Sequence, residues 1–113
     1  MKIVVASDEK TSLTESVIND LKKRGHQLVL MGDLVEKNGK WAEIGTEAAK
    51  KVARAEVDQG VLFCWSGTGI SIAANKIMKV RAALCWDAET AQLARKWNDA
   101  NILCMSLRST SQE

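Results

Sequence analysis

Short apolar runs of strand length alternate along this chain with segments whose apolar residues recur at helical spacing, and no other feature restricts its fold so tightly. Consecutive parallel strands need a long crossover to return the chain to the same edge of a sheet, and helices supply such crossovers. The alternation therefore predicts an α/β domain with a parallel sheet. At 113 residues the chain is one domain, long enough to bury a core and too short for two.

The elements can be read in order. Lys2 to Ala6 forms the first strand. Ser12-x-x-Glu15 reads as a capping box ahead of Leu13, Val17, Ile18 and Leu21, and Lys22, Lys23 and Arg24 close that helix before Gly25. Gln27 to Met31 is a second strand, Gly32 to Lys40 a polar connection, and Trp41 to Ala55 a second helix with Ala48, Ala49, Val52 and Ala53 on one face. Asp58 to Cys64, nearly all apolar after Gly60, has the character of a central strand covered on both sides. A helix from Ile70 to Lys76, a strand from Arg81 to Cys85, a helix from Asp87 to Trp97 and a strand from Asn101 to Met105 follow. Five strands and four helices make a Rossmann-like three-layer α/β/α sandwich over residues 1–108, with a polar tail, Ser109 to Glu113, expected to fray.

Several function classes are disfavoured. Sixteen Lys and Arg against fourteen Asp and Glu leave a net charge of +2 with the basic residues scattered, so no footprint for nucleic acid or anionic lipid is present. The longest apolar run, Val61 to Trp65, falls far below the roughly 20 residues of a membrane span. The N-terminus enters a strand-like run directly, which points to a cytoplasmic location. Cys64, Cys85 and Cys104 lack metal-ligand spacing, and their odd number argues against a disulfide framework; Cys85 and Cys104 read as small buried apolar residues.

Open parallel sheets bind ligands beyond the carboxyl ends of their strands. That rim collects Asp8, Cys64 to Gly69, Trp86, Asp87 and Arg108. The turn Ser66-Gly67-Thr68-Gly69 can aim backbone N–H groups and a helix dipole at one anion, although neither a P-loop nor a G-x-G-x-x-G fingerprint is present, and a plain tight turn fits equally well. Cys64 precedes that turn, where a helix N-terminus favours a thiolate. A base beside an anion hole suits proton abstraction next to a carbonyl, whereas a lone cysteine at a strand end is more often inert packing. A redox role for Cys64 would need a resolving cysteine, and none is near in sequence.

The stretch from Gly60 to Lys76 (GVLFCWSGTGISIAANK), with Val80 to Cys85 and Ala94 to Asn101, resembles the ribose-5-phosphate isomerase B family, which includes the galactose-6-phosphate isomerase subunits. The block Ser71-Ile-Ala-Ala-Asn-Lys76 with Arg81-Ala-Ala-Leu-Cys85 is the most specific part, and the likeness runs from Met1 to about Arg108. It implies aldose–ketose isomerisation of a phosphorylated sugar through a cis-enediolate, without metal or cofactor, at a site shared by two subunits of a dimer or higher homo-oligomer. Cys64 corresponds to the family's base and Ser66 to a threonine beside it, while Gly67, Thr68, Gly69 and Ser71 lie in the loop of the anion hole. Asp8 corresponds to an aspartate contacting sugar hydroxyls, Asn98 to the residue after the ring-opening histidine, and Arg108 to a phosphate-holding arginine.

Departures from the family pattern are specific. Glu9 stands where the family usually has histidine, Trp97 replaces the ring-opening histidine, and Trp65 replaces a glycine. Trp41-Ala-Glu43 takes the place of Tyr-Pro-Asp. The single histidine, His26, reads as a solvated turn residue, and Trp65, Trp86 and Trp97 are expected beside the rim, as packing or interface residues or as a narrower, less polar pocket wall. The family also continues about one helix beyond Glu113. These departures keep open a second possibility, a non-catalytic relative that binds a sugar or other anionic metabolite or serves as a partner subunit.

Overall fold

The computed structural model describes residues 1–35 and 40–110, so part of the expected 32–40 connection and the end of the expected tail, 111–113, lie outside the described residues. Strands β1 (Lys2–Ser7), β2 (Gln27–Gly32), β3 (Gln59–Cys64), β4 (Ala82–Leu84) and β5 (Ile102–Ser106) alternate with helices α1 (Ser12–Lys23), α2 (Trp41–Ala53), α3 (Thr68–Asn75) and α4 (Ala88–Asn98). The strands form one wholly parallel sheet in the order β2-β1-β3-β5-β4. The apolar third strand is indeed central, with Val4 facing Gly60 on one side and Leu62 facing Cys104 on the other.

Helices cover both faces, and strand alternation sorts the core accordingly. One cluster, including Val4, Leu62, Ile102 and Cys104, packs with Ile44, Ala48 and Val52 of α2 and Ile70 and Ala74 of α3. On the other face, Val5, Val61 and Phe63 meet Leu13 and Ile18 of α1, while Cys85 and Ala100 form a separate cluster with Ala94 of α4.

Helix ends follow local chemistry, with three corrections to the expected signals. The capping box of α1 is Thr11 with Thr14, one residue earlier than Ser12 with Glu15: the Thr14 N–H donates to Thr11 Oγ1 and the Thr11 N–H to Thr14 Oγ1. Thr14 is fully buried, so its hydroxyl stays beside the cap, while Glu15 turns outward to Lys10 at 3.2 Å. At the other end Gly25 takes φ +86°, and bonds from Gly25 N to Lys22 O and from His26 N to Leu21 O close a Schellman motif. Helix α2 ends in the same way, two residues earlier than expected, because Ala55 adopts φ +58° at the position a glycine would mark. Helix α3 begins at Thr68 rather than Ile70, since Gly67, at φ +80°, turns the chain directly into the helix.

Candidate functional site

The carboxyl ends of β3 and β5 are stitched together immediately below the Gly-rich turn. Leu107 N–H donates to Cys64 O and Arg108 N–H to Trp65 O, each at 3.0 Å, and the buried Ser106 hydroxyl donates to Trp65 O at 2.9 Å. The backbone that starts the turn is therefore held by the neighbouring strand, and Arg108 is brought beside Trp65 by the same bonds.

Within the turn, the Gly67 N–H donates to Cys64 Sγ at 3.2 Å and fixes the sulfur under the start of α3. Cys64 is buried, 4% exposed, and belongs to the α2/α3 core cluster. Positive φ at Gly67 and the lack of room there explain the residue: a Cβ would sit 2.6 Å from Leu84 Cδ1 and 3.0 Å from the Met105 carbonyl carbon. The first intrahelical bond runs from Ser71 N to Gly67 O, and the Ser71 hydroxyl donates to Thr68 O at 2.9 Å. Amides earlier in α3, those of Thr68, Gly69 and Ile70, consequently have no intrahelical acceptor and are the donors this helix start presents. Gly67 and Ser71, both expected in the anion loop, spend their N–H groups on the loop's own architecture, and Ile70, not singled out from the sequence, supplies a donor in their place. The exposed Ser66 and Thr68 hydroxyls are hydrogen-bonded to one another at 2.8 Å.

Trp41, at the start of α2, stands out in the sequence only as a departure from Tyr-Pro-Asp and was not expected at the site. Its indole lies so close to Gly69 that a Cβ there would meet ring atoms at 3.1–3.2 Å, and it remains 45% exposed. The glycine at 69 was its signal, since only a residue without a side chain lets an indole lie flat on the backbone. Trp65 and Trp86 also emerge at this rim, exposed at 59% and 67%.

At the end of β1, Ser7 is fully buried and its hydroxyl accepts the Glu9 N–H at 3.1 Å. Asp33 N–H donates to Ser7 O at 2.8 Å, which brings the β2 end alongside. Burial pushes the Asp8 carboxyl above its ordinary range; its own backbone hydrogen bond opposes this, and the neighbouring charges of Glu9 and Asp33 add to it. Three carboxylates share this edge, so the negative potential rises toward β1 and β2 and an anion is better placed over α3 than over Asp8.

Trp97, expected beside the rim, is elsewhere, and Asn98, expected at a site shared by two subunits, lies next to it. A helix after a parallel strand runs back toward the strands' amino ends, so Trp97 and Asn98, closing α4, sit at the opposite edge of the sheet from Cys64. The Asn98 carbonyl accepts Arg81 Nε there, just before β4. His26 is at that same edge, 3.2 Å from the Met1 ammonium. Cys85 and Cys104 are free and buried, and desolvation with the nearby Cys64 and Cys85 pushes the Cys104 thiol up to about 12. Among the described residues no group of three His, Cys, Asp or Glu could hold a metal, and no helix is long and apolar enough to cross a membrane.

With this geometry in hand, comparison with known proteins is decisive about kinship. A family model described as Ribose/Galactose Isomerase matches residues 3–113. The chain belongs to this family. Within it, the ribose-5-phosphate isomerase B of Escherichia coli is 36% identical over 101 residues, which cover 89% of this chain and 68% of that protein. The galactose-6-phosphate isomerase subunit LacB of Clostridium acetobutylicum is 39% identical over 90 residues, 80% of this chain and 52% of the relative. The solved ribose-5-phosphate isomerase B of Clostridium thermocellum superposes with a TM-score of 0.91 at 35% identity, covering 99% of this chain and 76% of that one. This sugar-phosphate isomerase family therefore accounts for the wholly parallel five-stranded sheet.

Proposed function

We propose that the protein is an aldose–ketose isomerase of a phosphorylated sugar, a pentose 5-phosphate or hexose 6-phosphate, with Cys64 as the base. The observation carrying this reading is Cys64 Sγ, held at 3.2 Å from the Gly67 amide directly before the start of α3, whose first amides have no intrahelical acceptor. The thiolate removes the proton from the carbon next to the carbonyl. The electron pair moves into a carbon–carbon double bond, the enediolate oxygen takes the charge, and the amides of Thr68 and Gly69 offset it. A proton passes from the hydroxyl on the first carbon's neighbour to the former carbonyl oxygen, and return of the carbon-bound proton to the adjacent carbon, with the new carbonyl forming where that hydroxyl was, completes the isomerisation. Ser66 lies beside the base, Arg108 holds the phosphate, and Asp8 takes sugar hydroxyls, with Trp41 against one face of the ligand.

Asn98 enters such a site only from a second copy, whose α4 end must be laid against this rim; the reading therefore includes a homodimer or a higher homo-oligomer. Proton transfer requires carbon in contact with Sγ, so substrate binding must also shift the turn over Cys64. Without a ring-opening histidine, open-chain substrates are favoured.

The test is an aldose–ketose assay over several sugar phosphates. Turnover that falls by about 10³-fold or more in Cys64→Ala, with ligand-induced thermal stabilisation retained, supports the reading. Equal rates in wild type and variant remove Cys64 from the mechanism. The 4% exposure of Cys64 and the carboxylates of Asp8, Glu9 and Asp33 favour one competitor, a ligand-binding or partner subunit without catalysis. Stabilisation by sugar phosphates with no turnover would select it.

A further inference from the structure

The last turn of α4 is anchored by a side chain from outside the helix. Ala94 is the one buried residue of α4, and the closing residues Trp97 and Asn98 are both exposed. An open hollow of about 410 Å³, bordered by Asn75, Arg81 and Asn98, lies beside this end, so close packing does not fix it. Hydrogen bonds do. Asp99 takes φ +48°, the Ala100 N–H returns to Ala94 O, and Arg95 Nη1 donates to Ala100 O, which closes the turn onto the helix itself. A further bond comes from the lead into β4, where Arg81 Nε donates to Asn98 O.

Arg81 is set up for this contact. Its N–H donates to Asn101 Oδ1 at 2.8 Å, Asn101 Nδ2 donates to Lys79 O at 2.9 Å, and Arg81 O accepts the Asn101 N–H at 3.0 Å. Lys79 takes φ +72° in the same turn, a left-handed conformation that a lysine keeps only where its surroundings hold it. The Arg81 backbone is thus fixed by Asn101, independently of the Arg81 side chain. Among the described residues no carboxylate pairs with its exposed guanidinium. Nε is committed instead to the last carbonyl of α4, where a cation also meets the negative end of the helix dipole. The carbonyl of Asn98 is therefore occupied, while its side-chain amide has no partner among the described residues.

We propose that Arg81 is a positioning residue of the isomerase: by holding the Asn98 carbonyl, its Nε–H aims the Asn98 side chain into the site of a second copy. Under the proposed isomerase activity, on which this rests, Asn98 enters each site across a subunit boundary. Arg81 consequently serves the Cys64 of the second copy and not the Cys64 of its own chain.

The test compares two side chains of similar reach. Arg81→Gln places an amide nitrogen where Nε stood and so keeps a donor without the charge, whereas Arg81→Met keeps the bulk and loses the donor. Arg81→Met should lower kcat/KM on the sugar phosphate that wild type converts by about tenfold or more, with Tm within about 4 °C of wild type. Arg81→Gln should recover most of that loss. Equal losses in the two variants would assign the effect to charge, and wild-type kcat/KM in Arg81→Met would show that Asn98 is placed without it; either overturns the proposal. The subunit served is read by refolding equal amounts of Arg81→Met and Cys64→Ala chains together, with the heterodimers confirmed by native mass spectrometry. Each heterodimer holds one complete site, so turnover at low substrate should rise to about a quarter of wild type. No rise above the two variants assayed apart would place Arg81 in the site of its own chain and overturn the proposal. A monomeric wild type, or one that converts no sugar phosphate, would instead remove the isomerase reading, and the proposal with it.

Discussion

The two faces of the sheet are built from the same alternation yet reach different degrees of closure. On the α2/α3 face a single cluster runs from β1 to β5, and its upper end carries Cys64 and the start of α3. On the α1/α4 face two clusters leave a trough between them, and Ala94 is the one buried residue of α4. The candidate site thus sits on the close-packed side, where Cys64 Sγ is tied to the Gly67 amide, while the open side is packed less closely.

The difference can be broken most forcefully in the core. Leu62→Ala, on the closed face at 0% exposure, should cost about 2–5 kcal/mol in denaturant unfolding, against roughly 1 kcal/mol for Leu103→Ala beside the trough. Equal losses would mean that the two faces are packed alike. Gly67→Ala should come next, at about 2 kcal/mol, because φ is +80° and the new methyl would meet Leu84 and the Met105 backbone. Turnover should fall with it by at least about tenfold, since the Cys64–Gly67 bond and the α3 amides would shift together. Wild-type stability and rate in this variant would show that neither the Gly67 conformation nor its bond to Cys64 matters to the fold or the site.

On the open side the effects shrink. Thr14→Val removes the reciprocal cap of α1 and should cost about 1 kcal/mol by thermal unfolding. Smallest is a pH effect at the N-cap of α4, where Asp87 is held below its ordinary value by the side-chain and backbone hydrogen bonds to Thr90. A lowered folded pKa gives stability that is present above the unfolded value of about 4 and lost as pH falls through the folded one. Asp87→Asn should therefore flatten the acid side of the stability curve below about pH 4, read as the difference in Tm between the two proteins.

Much of this architecture could be read from residue patterns, for reasons specific to each element. The apolar β3 marked itself as central, and α1 carried signals at both ends, though its cap was Thr11 with Thr14 because a buried hydroxyl outcompeted the exposed Glu15. The end of α2 was illegible because an alanine, Ala55, takes the left-handed position. Strand order was not encoded in any local signal, and the placement of β5 between β3 and β4 depends on packing across the sheet. At the site, the adjacency of Cys64 to a helix start was legible from spacing. Which amides stay unpaired was not, because that depends on Gly67 turning its N–H to sulfur. Trp97 was expected beside the Cys64 rim because motif likeness aligns residues along a chain, whereas the edge it occupies is set by the direction in which α4 runs.

The proposed chemistry is most directly exposed by following one proton. With a ribose 5-phosphate or ribulose 5-phosphate solution in D₂O, proton NMR should show deuterium entering at the carbon next to the carbonyl when wild-type protein is present, and no exchange above background with Cys64→Ala of equal thermal stability. Exchange at the same rate with the variant, or none with the wild type across pentose and hexose phosphates that measurably stabilise it, would contradict the assignment of Cys64 and the α3 amides as an isomerase site.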